Sequence, residues 1–321
     1  MNANLCVLFT PRSFSDDDQD ILTGLASAGI EIRRKPKGPI WTDDVLASAL
    51  KGVDVLVLGL EPLTRRVIEA ADSLKLVVRF GSGMDNVDGV AALERGIVVA
   101  NIPHANSDAV AELTIGLMIT LARNVMVMRS SIRRGQFVKV TGAEIAGKVV
   151  GIIGFGNIGR AVARKAEALG AIVLGNDPFL TQGTAQPGVT QLVDLRELLQ
   201  TSDFVCLHAP LTQDTENFIG YSQFQQMKTG AYLLNMARHG LVHGDALYEA
   251  LRTGRIAGAA LDTIDSPIEL DPRLLEFDNV ILTPHAGASS RESVARMKQA
   301  AVDEVKGFIE GLPPRNPWRP I

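Results

Sequence analysis

A chain of 321 residues with 46% hydrophobic content is long enough for about two domains, each with its own core. Its net charge of -4, and the lack of any apolar run near the ~18 residues that span a bilayer, argue against a nucleic acid or a membrane as partner. The opening MNANLCVLFT reads as a first strand instead of a signal peptide, and Cys6 and Cys206 sit in strand-like runs as core thiols instead of a disulfide or metal pair, so the cytoplasm is the expected location.

Strand and helix alternate up to about residue 100. The predicted strands are Leu5 to Phe9, Ile30 to Arg33, Val53 to Leu58, Leu76 to Phe80 and Ile97 to Ala100. The helices between them are Asp17 to Ala28, Thr42 to Leu50, Leu63 to Ala71 and Val90 to Arg95. Strands joined by crossover helices imply a parallel, doubly wound sheet. These strands are almost wholly apolar, as expected when helices cover both faces. Asn106 to Arg134 is then predicted as one long helix, capped by Asn106, Ser107 or Asp108. It is apolar nearly all round, which marks a buried helix. Part of it is expected to pack against a second subunit, with its methionines as adaptable packing.

Lys148 to Pro178 carries the strongest signal. The apolar run Val149 to Ile153 suits a buried strand, and Gly154, Gly156 and Gly159 follow it in the spacing GxGxxG. The first glycine permits a tight turn, the second lets a pyrophosphate approach the backbone, and the third lets helix and strand pack closely. Ile158 to Leu169 reads as a helix whose N-terminal N–H groups would face the phosphates. A second strand, Ala171 to Leu174, leads to Asp177, an acid placed to accept from the ribose hydroxyls and to repel a 2′-phosphate. Strand, loop, helix, strand and acid in this order point to NAD. A glycine-rich turn of purely structural purpose would not need the acid.

The alternation then resumes. Helices are predicted at Leu195 to Leu199, Ser222 to Met227, Asp245 to Arg252 and Ser290 to Glu310. Strands are predicted at Asp203 to Leu207, Ala231 to Leu234, Ile256 to Leu261 and Val280 to Leu282. Two domains are expected: residues 1–99 with 287–321 for substrate, and 100–286 for the dinucleotide. Two chain crossings would form a hinge with a cleft, a common place for a small-molecule site.

Several phrases carry a resemblance. They are GSGMDNVD (81–88), NIPHANSDAVAELTIGLM (101–118), GKVVGIIGFGNIGR (147–160), LHAPLT (207–212), NMARHGLV (235–242), GAALD (258–262) and NVILTPHAG (279–287). In this order the chain resembles the NAD-dependent D-isomer-specific 2-hydroxyacid dehydrogenases, which include the phosphoglycerate dehydrogenases. The resemblance implies a flavodoxin-like substrate domain beside a Rossmann domain, hydride transfer between them, and a homodimer built around the long helix. It also implies that Gly154, Gly156, Asn157, Ile158, Gly159, Asp177, His208, Ala209, Pro210, Met236, Ala237 and Asp262 hold the cofactor.

Oxidising a 2-hydroxy acid requires a bound nicotinamide, a cation for the carboxylate, a base for the hydroxyl proton, and a group that stabilises the charged base. Arg238 is the candidate cation, because a planar guanidinium holds a carboxylate bidentately and polarises the adjacent carbonyl. His285, just after a strand, is the candidate acid/base, the role an imidazole suits near neutrality. The family pairs this histidine with a glutamate. Here LDTIDSPIELDP departs from the family phrase: Pro267 or Ser266 falls in that place, and Asp265 or Glu269 could supply the carboxylate from a shifted backbone. Arg79, Ser82 and Gly83 fall where the first domain's loop would meet substrate. Arg79 resembles a phosphate-binding arginine, but Leu58–Gly59 stands where phosphoglycerate members often place another. The substrate is therefore open between 3-phosphoglycerate and a glycerate or glyoxylate type. His104, His239 and His243 replace residues usual in the family and either shape substrate choice or are tolerated loop positions. No ligand pattern accompanies them to suggest a metal. The competing reading is an NAD-sensing binding or scaffold protein on the same fold, favoured by the altered glutamate phrase and disfavoured by Arg238 and His285.

Overall fold

The computed structural model describes residues 5–15, 18–27, 29–180, 191–264 and 270–319. Two compact units emerge, Met1–Asn106 with Ser290–Ile321, and Ser107–Ser289. The divisions fall a few residues later than the sequence reading. Residues just past 99 belong to the first unit because Asn101 ends its last strand and Ile102 N–H donates to the Gly81 carbonyl at 3.0 Å.

The first unit runs β1 (Cys6–Phe9), α1 (Gln19–Ala26), β2 (Glu31–Arg34), α2 (Asp43–Ala49), β3 (Val55–Leu58), α3 (Arg65–Ala70), β4 (Leu76–Arg79), α4 (Gly89–Glu94) and β5 (Val98–Asn101). Its strands pair in parallel in the order β2-β1-β3-β4-β5. The runs CVLF, VLVL and LVVR are buried along their whole length, which is why they lack the polar alternation of a half-exposed sheet.

The second unit begins with a correction. Asn106 to Arg134 is two helices, α5 (Ser107–Ala122) and α6 (Val125–Arg133), bent by 63°. Asn124 at the break is left-handed, φ 52°, a conformation that asparagine tolerates better than most residues. A later segment fixes the stop: Ala143 N–H donates to the Ala122 carbonyl at 2.8 Å, and Asn124 Nδ2 to the Thr141 carbonyl at 3.3 Å. The chain supplies a donor to a terminal carbonyl that the helix itself cannot satisfy. The apolar periodicity continues across this break and so conceals it. No single helix among the described residues is long and apolar enough to cross a membrane.

There follow β6 (Val149–Ile153), α7 (Asn157–Ala168), β7 (Ile172–Asn176), β8 (Gln191–Leu192), α8 (Leu195–Thr201), β9 (Phe204–Leu207), α9 (Tyr221–Gln226), β10 (Ala231–Asn235), α10 (Gly244–Arg252), β11 (Ile256–Leu261) and β12 (Val280–Leu282). The short β8 escaped the sequence reading because two residues carry no periodicity. The strands pair in parallel in the order β12-β11-β10-β9-β6-β7-β8. The order reverses direction between β6 and β9, and such a switch point is where open α/β sheets bind ligands. Helices α5 and α7 share the core on one face with Val150, Ile152, Phe204 and Leu234.

The chain returns to the first unit as α11 (Arg291–Ile309), capped by the Ser290 hydroxyl, which accepts from Ser293 N–H at 3.1 Å. It packs on α1 and β4, and Lys298 Nζ lies 2.6 Å from Asp18 Oδ1. The tail then runs antiparallel to the edge strand: Trp318 N–H donates to the Val99 carbonyl at 2.8 Å, and Ala100 bridges Pro317. A Cβ on Gly89 would stand 2.7 Å from the Trp318 ring, so only glycine lets the indole lie flat there.

Candidate active site

The carboxyl edge of the second sheet carries the predicted cofactor residues together with Arg238 and His285. Beyond β6, Gly154 turns with φ 90°, and a Cβ on it would meet Ala209 N at 2.5 Å. The glycine loop and the turn after β9 are thus pressed together at the switch point. His208 N–H donates to the Ile153 carbonyl at 2.8 Å. A Cβ on Gly159 would lie 2.2 Å from the Gly154 carbonyl oxygen, whereas one on Gly156 would meet nothing within 4 Å. The first and third glycines therefore serve packing, and the second borders open space. Asn157 and Ile158 open α7 beside that space, with the dipole end that favours anions.

Asp177 directly follows the neighbouring strand β7. Its Oδ2 accepts from Phe155 N–H at 2.8 Å and its Oδ1 from Phe179 N–H at 3.0 Å. Each carboxylate oxygen keeps a lone pair, enough to accept from two ribose hydroxyls, and Pro178, Phe179 and Leu180 follow with no arginine among them. Open space at the second glycine, a helix N-terminus and a fixed terminal acid fit a dinucleotide without a 2′-phosphate. His208, Ala209 and Pro210 border this place from β9. Both His208 ring nitrogens are buried with no hydrogen-bond partner, and burial lowers its pKa from 6.5 to about 4, so the ring stays neutral near neutral pH.

On the other side of the switch point lie the ends of β10, β11 and β12. Met236, Ala237 and Arg238 follow β10. The buried Asn235 side chain shapes their turn, accepting from Ala237 N–H at 3.1 Å and donating to the Arg238 carbonyl at 2.7 Å. Arg238 is half-buried, and its Nη1 donates to the Ala237 carbonyl at 2.7 Å. His285 follows β12 in a left-handed conformation, φ 50°, which costs a non-glycine residue energy and is a signal of function. Asp262 directly follows β11 between them, 3% exposed. Its Oδ1 accepts from Thr283 Oγ1 at 2.7 Å and from Ala286 N–H at 2.6 Å, and its Oδ2 from Gly287 N–H at 2.6 Å. Arg238 and His285 therefore rise from the same sheet edge two strands apart, roughly 10 Å at normal strand spacing. Sequence reasoning missed Asn235 and Thr283, although a polar residue closing the apolar strand AYLLN was a visible signal. Asp265 and Glu269 lie outside the described residues. Asp271, just after them, is engaged by Arg273 Nη2 at 2.6 Å, and that hydrogen bond holds its pKa below the usual value.

In the first unit, Arg79 is 5% exposed. Its Nη1 donates to the Phe80 carbonyl and its Nε to Asn86 Oδ1 at 3.2 Å. Asn86 Nδ2 in turn donates to the carbonyls of Gly59 and Glu61 at 3.1 and 2.9 Å. Ser82 and Gly83 are half-buried in the loop this arrangement braces, and the Ser82 carbonyl accepts from Asn101 Nδ2 at 2.8 Å. At the ends of β1, β2 and β3, Glu61 accepts from Thr10 Oγ1 at 2.6 Å and pairs with Lys35 Nζ at 3.3 Å, both charged side chains almost fully buried.

The remaining histidines divide by environment. His104 and His239 are exposed. His243 caps α10, its Nδ1 accepting from Ala246 N–H at 3.4 Å, with its ring 5.5 Å from that of Tyr221.

Two parallel α/β units, the second with a glycine-loop cradle and a terminal acid at its switch point, define a class of two-unit dinucleotide-binding proteins. Residues 115–287 match the model of the D-isomer specific 2-hydroxyacid dehydrogenase NAD binding domain. The chain is 42% identical over 274 residues to a D-3-phosphoglycerate dehydrogenase of Methanocaldococcus jannaschii, covering 84% of this chain and 52% of that one. It is 39% identical to a hydroxypyruvate reductase of Thermotoga maritima, covering 82% and 87%. The crystal structure of the TT0316 protein from Thermus thermophilus superposes with a TM-score of 0.85 at 33% identity, covering 98% and 100%. The chain belongs to the D-isomer-specific 2-hydroxyacid dehydrogenase family and carries its NAD-binding domain. It spans about half the length of the first curated relatives it matches.

Proposed function

We propose that this protein is an NAD-dependent oxidoreductase that interconverts a small D-2-hydroxy acid and its 2-keto acid. The observation that carries the reading is the alignment of Gly156, Asp177, Arg238 and His285 on one carboxyl edge of one parallel sheet. Bound NAD supplies or accepts the hydride. Asp177 and the first turn of α7 hold the ribose and the pyrophosphate. Arg238 clamps the substrate carboxylate and polarises the carbonyl beside it. His285 donates a proton to the carbonyl oxygen in reduction and takes it back in oxidation. Arg79, Ser82 and Gly83 are the substrate residues proposed for the first unit.

Among the substrates named for relatives, an unphosphorylated acid of the hydroxypyruvate or glyoxylate type fits better than a phosphorylated one. Two donors of Arg79 are committed within its own unit, and a Cβ on Gly59 would meet Glu61 Oε2 at 2.9 Å and Pro11 Cα at 3.2 Å. The position offers no room for a second phosphate-binding side chain. The test is loss of NADH absorbance with glyoxylate, hydroxypyruvate, pyruvate and phosphohydroxypyruvate. Turnover of hydroxypyruvate or glyoxylate well above phosphohydroxypyruvate supports the reading, and the reverse order removes the substrate assignment. NADH binding with no turnover of any of them would favour a cofactor-sensing role instead.

A homodimer in the cytoplasm completes the proposal. Ile132 is 59%, Phe137 88% and Val138 51% exposed on and just after α6, an apolar stretch that a second copy would cover. Cys6 and Cys206 are buried and unpaired, in keeping with a reducing compartment. Light scattering of the purified chain reads the assembly, and a monomer at micromolar concentration would remove it.

A further inference from the structure

We infer that Asp262 is the positioning residue of the His285 turn, holding the imidazole from behind through the main chain. The inference rests on the proposal that His285 is the acid/base. Asp262 is anchored at the end of β11, where its N–H donates to the Asn235 carbonyl at 2.9 Å. Its carboxylate then collects three donors from the turn that follows β12: the Thr283 hydroxyl and the N–H groups of Ala286 and Gly287, all at 2.6 to 2.7 Å. These flank His285 on both sides in sequence. The histidine is held between them at φ 50°, with its own N–H donating to the Thr283 carbonyl at 3.0 Å.

A left-handed histidine costs energy unless its surroundings over-determine it. Charge-assisted hydrogen bonds to a buried carboxylate are the strongest restraint available to a short loop. Glycine at 287 is required for the third bond, because a Cβ there would stand 2.7 Å from Asp262 Oδ2 and 3.3 Å from Val110. A carboxylate reserved only for the nicotinamide amide would not need both oxygens turned to main-chain and hydroxyl donors of the same turn. The device fixes the backbone of His285 and with it the direction of its Cα–Cβ bond, so the geometry of proton transfer depends on Asp262 even where the ring has a separate partner.

Five variants test this with the full chain, using kcat and KM for the best keto acid and, separately, NADH Kd by fluorescence titration. Asp262→Asn replaces one acceptor by a donor and should lower kcat about a hundredfold, a far larger loss than any weakening of NADH. Thr283→Val is near-isosteric and removes one bond. It should lower kcat about fivefold with both KM and NADH Kd nearly unchanged, and Thr283→Ser should restore it. In a His285→Ala background, Thr283→Val should cost nothing further, because it acts only through the missing ring. A rise in NADH Kd that tracks the loss of turnover would assign Asp262 to the cofactor and overturn the inference. So would a lowered melting temperature with unchanged kcat per folded molecule. Full turnover in His285→Ala alone would instead remove the acid/base proposal, an outcome distinct from failure of the positioning role.

Discussion

Gly156 and Gly59 stand in comparable places, each beyond a strand at the crossover of its own parallel sheet. A Cβ on the first would meet nothing within 4 Å, whereas one on the second would meet Glu61 and Pro11. The edge around Gly156 is left open, with a helix N-terminus and the carboxylate of Asp177 facing the space. The edge around Gly59 is filled by the chain's own groups: Glu61 accepts from Thr10 and pairs with Lys35, and Arg79 and Asn86 brace the next loop. The same layered architecture thus ends in a cradle in one unit and in a filled polar floor in the other. A sheet edge becomes a cofactor site only where the chain withholds its side chains from it.

The largest effect is expected from the reactive end of the open edge. Arg238→Lys keeps the charge but loses the fork. It should reduce kcat/KM for the keto acid about a thousandfold, or about 4 kcal/mol, with NADH binding intact. Near-normal turnover would take Arg238 out of the mechanism.

The filled edge is probed by Lys35→Met, which strands the Glu61 carboxylate in a dry environment and should cost the first unit about 3 kcal/mol. The chain has two tryptophans, Trp41 and Trp318, both in the first unit, so denaturant unfolding followed by indole fluorescence isolates that loss. The double variant Lys35→Met with Glu61→Leu should recover much of it. An unchanged transition for Lys35→Met would mean that the pair contributes nothing to the floor.

The His208 ring is neutral in the folded second unit and takes up a proton when unfolded. With its pKa lowered from 6.5 to about 4 by burial, its contribution is complete above pH 6.5 and is lost as pH falls towards 4. At about 1.4 kcal/mol per pKa unit, that is about 3 kcal/mol at most. Circular dichroism melts of His208→Asn across this range should show a flatter pH dependence than the parent. An identical slope would remove His208 as the source.

The smallest effect separates the two kinds of glycine. Gly156→Ala should weaken NADH about tenfold, about 1.4 kcal/mol, with the melting temperature unchanged. Gly159→Ala should lower the melting temperature itself, because its Cβ would stand 2.2 Å from the Gly154 carbonyl oxygen. Equal melting temperatures in the two variants would erase the distinction.

These differences were unevenly legible in the sequence. The cradle was readable because it depends on local spacing: three glycines, a helix and an acid at the next strand end. The placement of Arg238 and His285 at the carboxyl edge was readable because both follow apolar strands. The turn-holding bonds of Asp262 and Asn235 were not, since their partners are mainly main-chain N–H and C=O groups that every sequence possesses. Lys35 and Glu61 are far apart along the chain, and nothing local announces a buried pair. The end of α5 was hidden for a related reason. The group that stops it, Ala143 N–H, arrives from a later segment with no mark in the helix itself.

The return of α11 and the tail to the first unit also sets an order of events during synthesis. The second unit is one continuous stretch and can collapse as soon as β12 has left the ribosome. The first five strands emerge earlier, but they lack the helix that packs on β4 and the Trp318 main-chain N–H that pairs with the outer strand at Val99 until residues 291–318 appear. The nascent first sheet must therefore wait, with an unguarded margin, while the younger unit matures. A carboxyl-terminal truncation that removes Trp318 would leave that wait without an end, and insoluble product from the ribosome onward is the expected sign.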